Sequence, residues 1–176
     1  KHAHDYVSYV DKASEKKVVS ALRKLLPEAG FIAEEGSAAY SDETYCWVVD
    51  PLDGTTNYIH DNAPYCVSIA LRDKQSLLLG VVYEPCRDEC FYAWKGGGAY
   101  VNGERLRVSL VSELKDAFVV TELPYNFEQY ARTGEHLIHE LYGKVAGIRM
   151  NGSAALALCY VAAGRFDAWL EAFIGK

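Results

Sequence analysis

The chain has 176 residues, 50% of them hydrophobic and 24% charged, with a formal net charge of −6. That length and balance suit one globular domain with a real core, and they exclude a disordered or low-complexity chain. No basic run is longer than Lys16-Lys17, so binding to nucleic acid or an anionic membrane through charge alone is not expected, and an anionic substrate would need local help such as a metal cation.

The first predicted element is a helix over 11–26, where Val18, Val19, Leu22, Leu25 and Leu26 follow helical spacing, Asp11 is a candidate N-cap and Pro27 a stop. Short β-rich runs follow at 31–33, 45–49, 65–72, 77–83, 90–94 and 117–121, separated by turn-prone segments such as Arg72-Asp73-Lys74-Gln75 and Asn102-Gly103. Strands this close in sequence predict an antiparallel meander, because parallel neighbours need longer crossovers. A second helix is expected over 128–142, with Tyr130, Leu137, Ile138 and Leu141 inward, and a third over 152–163, closed by Gly164. A strand over 166–171 comes last. The expected fold is α+β, a layered α/β/α sandwich on a mainly antiparallel sheet, without repeat or linker. Lys1 starts no element, and the chain stops at Lys176 just after the apolar run 169–174. Residues 1–176 therefore read as a single domain that is incomplete at both ends.

Cys46, Cys66 and Cys159 lie in apolar runs, and Cys86 and Cys90 lack the second pair that a zinc site requires. Free, reduced thiols are expected, in a soluble cytoplasmic protein without signal peptide or membrane span.

The most informative segment is Val48-Val49-Asp50-Pro51-Leu52-Asp53-Gly54-Thr55-Thr56-Asn57. Asp-Pro and Asp-Gly are strong turn formers, so a plain turn is one reading. A tight turn after Asp50 would also aim two carboxylates and the Leu52 carbonyl at one point, the oxygen set that Mg²⁺ favours, and Gly54-Thr55-Thr56 could open a short helix with free amides for a phosphate. Glu34 and Glu35 end the strand before it, and two strand ends can meet at one sheet edge; a solvated acidic loop is the plainer reading. Asp11 as a cap and Glu171 at a strand end have similarly plain readings. His136 and His139 suit a solvated helix face, and no P-loop or nucleophile elbow is present. Phosphatases of the haloacid dehalogenase type place their two aspartates two residues apart; here the spacing is three with a proline between, the wrong register for that chemistry.

These residues resemble the inositol monophosphatase family. Its motif appears as Trp47 to Tyr58, preceded by Phe31-Ile32-Ala33-Glu34-Glu35. Gly80-Val81-Val82-Tyr83, the run from Gly96 to Gly103, Arg149 with Gly152-Ser153-Ala154-Ala155, Gly164 with Asp167, and Glu171 match later family patterns. The resemblance implies an α/β/α/β/α sugar-phosphatase fold and hydrolysis of a phosphate monoester by metal-activated water. It implies a first Mg²⁺ on Glu34, Asp50 and the Leu52 carbonyl, a second on Asp50 and Asp53, and a weaker third assisted by Glu34. It also implies phosphate on the Gly54 and Thr55 amides, a polyol on Gly152, Ser153, Ala154 and Glu171, and a water-orienting pair in Asp11 and Thr55. Inositol monophosphate is the expected substrate, since Thr56-Asn57 resembles that branch. Fructose bisphosphate, histidinol phosphate and adenosine 3′,5′-bisphosphate are alternatives, as is a non-catalytic homologue. A lithium-sensitive homodimer acting on a small phosphorylated polyol or sugar, with no nucleic acid or membrane partner, completes the expectation. One departure stands out: the family's last carboxylate, in a Trp-Asp pair after Glu171, is absent from the 176 residues.

Overall fold

The structure is a computed structural model that describes residues 9–36, 42–123 and 127–171. Helix α1 (Tyr9–Leu25) buries Asp11, Glu15, Val19 and Leu22, which recur every three or four residues and so form one stripe. The apolar half of the stripe packs on Ala29, Phe31, Trp47 and Val49. The other half is two carboxylates. Asp11 thus lies inside the first turn and is not the N-cap: it is only 3% exposed, and a carboxylate so buried must find partners.

Seven strands follow in sequence order in one sheet: β1 (Gly30–Ala33), β2 (Cys46–Asp53), β3 (Cys66–Arg72), β4 (Leu77–Glu84), β5 (Glu89–Trp94), β6 (Gly98–Val101) and β7 (Glu104–Arg105). The short helix α2 (Thr55–Ile59) lies between β2 and β3. From β2 to β7 the sheet is the expected antiparallel meander, and β6 turns into β7 at Asn102 and Gly103, both with positive φ, as a tight hairpin requires. The meander expectation fails at β1, which pairs parallel to β2; the segment 34–45 is long enough for the crossover.

The remaining elements are β8 (Phe118–Glu122), α3 (Phe127–Leu141), β9 (Gly147–Arg149), α4 (Ala154–Ala162) and β10 (Ala168–Glu171). The three strands form a parallel sheet ordered β10-β8-β9, with α3 and α4 as its crossovers. Strand β8 is buried on both faces. Val120 joins Cys66, Phe91, Leu156, Ala157, Tyr160 and Phe166 in one cluster, while Val119 joins Ala117 and Leu141, with Leu137 and Ile148 alongside, in another. The layers are therefore α1, the large sheet, α4, the small sheet and α3. This is the α/β/α/β/α arrangement. Leu137 and Leu141 point inward as expected, but Tyr130 and Ile138 instead line an open groove with Leu123 and Tyr142. Strand β9 escaped the sequence reading because three residues carry no resolvable period.

All five cysteines are free, with Cys46 and Cys66 buried. Among the described residues no helix is long and apolar enough to cross a membrane. Glu84, fully buried, accepts a hydrogen bond of 2.8 Å from the Tyr160 hydroxyl, joining β4 to α4. Tyr160→Phe removes the donor and leaves that carboxylate oxygen desolvated, so the denaturant midpoint should fall by the equivalent of about 1–3 kcal/mol with an unchanged slope.

Candidate active site

In a regular strand, residues three apart face opposite ways. Asp50 pairs with Ser68 and Asp53 with Cys66, so three steps along β2 span two along β3. This is a β-bulge, and Pro51, which has no N–H to give to the ladder, sits inside it. The extra residue restores parity and turns both aspartates to one face. The strand continues through Asp53, so the expected tight turn after Asp50 is a bulge instead. Within it the Leu52 N–H donates to Asp50 Oδ1 at 3.0 Å.

Helix α1 braces this bulge from outside. Ser14 donates to the Pro51 carbonyl at 3.2 Å, and Thr55 Oγ1 lies 3.1 Å from Asp11 Oδ1 and 2.9 Å from the Leu52 carbonyl, so one hydroxyl proton serves two acceptors. Glu15 accepts the Glu35 N–H at 2.6 Å, which fixes the loop after β1. The Glu34 N–H extends the parallel pairing to the Val49 carbonyl at 3.2 Å, and this register brings Glu34 beside Asp50. The two side chains share a hydrogen bond. Burial first, then that bond and the charges of Glu34 and Asp53, push the Asp50 carboxyl up to about 8.

Asp53 faces the other layer. Its Oδ2 accepts from Ser153 Oγ at 2.6 Å and the Ala155 N–H at 2.7 Å. Ser153 caps α4, since its hydroxyl oxygen accepts the Leu156 N–H at 3.3 Å, so Asp53 sits at the positive end of that helix. Burial nonetheless raises its carboxyl above the ordinary range, against the pull of these donors. Burial, and then the Asp53 charge, push the Cys159 thiol up to about 12 and raise that of Cys66 as well; both are inert as nucleophiles. Ala154, between Ser153 and Ala155, is the first residue of α4.

Gly54 begins α2 with φ +93°, and a Cβ there would meet the Pro64 carbonyl at 3.0 Å and the Gly152 carbonyl at 3.2 Å. The first helical bond in α2 is Tyr58 N–H to the Gly54 carbonyl at 3.0 Å, which leaves the Thr55 and Thr56 amides without a partner inside the helix.

Three residues escaped the sequence reading. Glu15 fell unremarked inside the predicted helix, and Asn57 closed the segment 48–57 without a role. Glu122 ends β8 directly opposite Glu171 of β10 and accepts the Asn151 and Gly152 N–H groups at 2.6 and 2.8 Å. An acid closing an apolar strand singled out Glu171, and the same signal marks Glu122. Burial, then the charges of Glu122 and Asp53, push the Glu171 carboxyl up to about 7.

The donor set fits Mg²⁺. It offers hard oxygens only, and the raised carboxyl of Asp50 is a group whose charged form a bound cation would favour. Among the described residues no three His, Cys, Asp or Glu side chains gather round one point. The fit is therefore that of the adjacent carboxyl groups of Glu34 and Asp50, with Asp53 turned toward α4.

A model of the inositol monophosphatase family matches residues 1–174. The chain is 43% identical over 172 residues to Nus factor SuhB of Escherichia coli (strain K12), covering 97% of this chain and 64% of the relative. It is 42% identical to inositol-1-monophosphatase of Rhizobium meliloti (strain 1021), covering 95% and 63%. The crystal structure of extragenic suppressor protein suhB from Bartonella henselae superposes with a TM-score of 0.94 at 39% identity, over 99% of this chain and 67% of that one. The chain thus spans a little under two thirds of the length of the curated relatives it matches.

Without metal, the folded chain keeps the Asp50 proton up to about pH 8, whereas the unfolded chain releases it near 3.8. Below both values neither state is charged. Between them only the unfolded state loses its proton, so stability falls as pH rises and levels off above the folded value. Denaturant midpoints taken in chelator should decline from about pH 5 to about pH 8, and Asp50→Asn should flatten the decline.

Proposed function

The chain belongs to the inositol monophosphatase family, and from that premise we propose that it carries the catalytic face of a magnesium-dependent phosphomonoesterase whose substrate is a phosphorylated polyol, inositol monophosphate first. What supports the proposal is the contact between the Glu34 and Asp50 side chains, close in sequence to the Thr55 hydroxyl that both Asp11 and the Leu52 carbonyl accept from.

Glu34, Asp50 and the Leu52 carbonyl would hold one ion, Asp50 and Asp53 a second, and Glu34 would assist a third. Bound there, Mg²⁺ supplies Lewis-acid polarisation of the phosphoryl oxygens and acidifies water. The chain's own residues do the rest. Thr55 Oγ1 takes a proton from the attacking water and passes its own to Asp11 Oδ1, 3.1 Å away; the new P–O bond forms as the ester P–O bond breaks, and the alcohol leaves with a proton from solvent. This exchange lies within the reach of general-base catalysis. The Gly54 and Thr55 amides orient the phosphate. Gly152, Ser153 and Ala154 face the polyol with Glu171, whose carboxyl, raised to about 7, can donate to or accept from a hydroxyl near neutrality. Assembly as a homodimer, lithium inhibition and a cytoplasmic setting come with the same reading.

A second reading, favoured by the name that the Escherichia coli relative carries, is service as a Nus factor, with or without hydrolysis. An ester panel assayed on the intact protein separates the two. Inositol monophosphate should be turned over only with Mg²⁺, and faster than fructose bisphosphate, histidinol phosphate or adenosine 3′,5′-bisphosphate. The absence of any turnover would favour the second reading, and a better ester would replace the substrate. Asp53→Asn keeps an oxygen for Ser153 and Ala155, so it should abolish Mg²⁺-dependent turnover and leave the unfolding midpoint near that of the parent. Asp11→Asn and Thr55→Ala should each lower kcat by ~10²–10⁴-fold; wild-type rates in either would refute the proton path.

A further inference from the structure

The segment 151–153 carries the turn into α4, and two side chains from distant elements hold it. Asn57 Nδ2 donates to the Asn151 carbonyl and to the Pro64 carbonyl, both at 2.7 Å. An amide nitrogen has two protons, so both are used. From the opposite side, Glu122 Oε1 accepts the Asn151 N–H at 2.6 Å and the Gly152 N–H at 2.8 Å. The Asn151 residue therefore has its carbonyl bound by the β2–α2 layer and its N–H bound by β8. Gly152 fits this grip only as glycine: its φ is +73°, and a Cβ would lie 2.9 Å from the Asn57 amide nitrogen. The next residue, Ser153, caps α4 and donates to Asp53.

We propose that Asn57 and Glu122 are positioning residues, gripping the Asn151 peptide groups from two layers and so setting the Gly152–Ser153 turn against the catalytic face. Glu122 acts as a hydrogen-bond acceptor and not as a charge in the chemistry. Its role in turnover rests on the phosphatase reading; its hold on the turn does not. Because the turn would touch the polyol in ground and transition states alike, loosening it acts on KM more than on kcat.

The test uses the intact protein, with amide exchange measured without metal or ester and kinetics measured separately. Glu122→Ala should speed exchange at Asn151 and Gly152 by about tenfold or more with strands β3 to β5 unchanged, and should raise KM several-fold more than it lowers kcat. Glu122→Gln keeps an oxygen that accepts both N–H groups, so it should restore protection and KM. Should Glu122→Ala not fold, Asn57→Ala removes the other grip and should give the same KM-led loss and faster exchange in segment 151–153. Wild-type exchange in the alanine variants overturns the proposal, and so does a glutamine variant as impaired as alanine. A parent protein that hydrolyses no ester sinks the phosphatase reading alone, since the exchange measurements still decide whether the turn is held.

Discussion

The arrangement depends on carboxylates held close together, two of which, Asp50 and Asp53, burial raises above the ordinary range. Four of them, Glu34, Asp50, Asp53 and Asp11, come from α1, the end of β1 and one bulged strand. Each has a named donor or neighbour: the Leu52 N–H, the Thr55 hydroxyl, the cap of α4, or another carboxyl group. A buried charge without such partners would drive the chain to another conformation or keep the group protonated. The bulge at Pro51 permits the crowding, because it reverses the facing of everything beyond it without ending the strand.

The two sheets meet at this place through polar bonds. Asp53 reaches Ser153 and Ala155, Asn57 reaches Asn151, and Gly54 has no side chain to keep the layers apart. The apolar contacts lie elsewhere: α1 packs beneath Trp47 and Phe31 on one face of the large sheet, and Leu156 and Tyr160 fill the other. This separation lets the apolar clusters support the fold while short, directional bonds fix the site, each of which loses much of its value when displaced by a fraction of an ångström.

The residues readable in the sequence were those whose signal is local. The helix over 11–26, the strands from β2 to β5 and the glycine turns follow from periodicity and turn chemistry, which act over a few residues. The parallel pairing of β1 was not readable, because nothing in Phe31-Ile32-Ala33 distinguishes a parallel neighbour from an antiparallel one. That pairing brings Glu34 to Asp50. Asp11 looked like a cap, since an acid in a first turn commonly is one; only its burial and its bond to a threonine 44 residues away give it another place. Glu15 and Glu122 act on backbone groups of other elements, and no spacing rule carries such information.

The commitment of one Asp53 oxygen to Ser153 and Ala155 has a bearing on ion selectivity. A carboxylate tied through one oxygen offers any cation a single bond from the other. Ions that chelate a carboxylate through both oxygens, as Ca²⁺ often does, lose that option, whereas a small octahedral ion that takes one oxygen per carboxylate does not. In the proposed metal site the cap of α4 would thereby act as a denticity filter, set by a helix terminus that need not touch the ion itself.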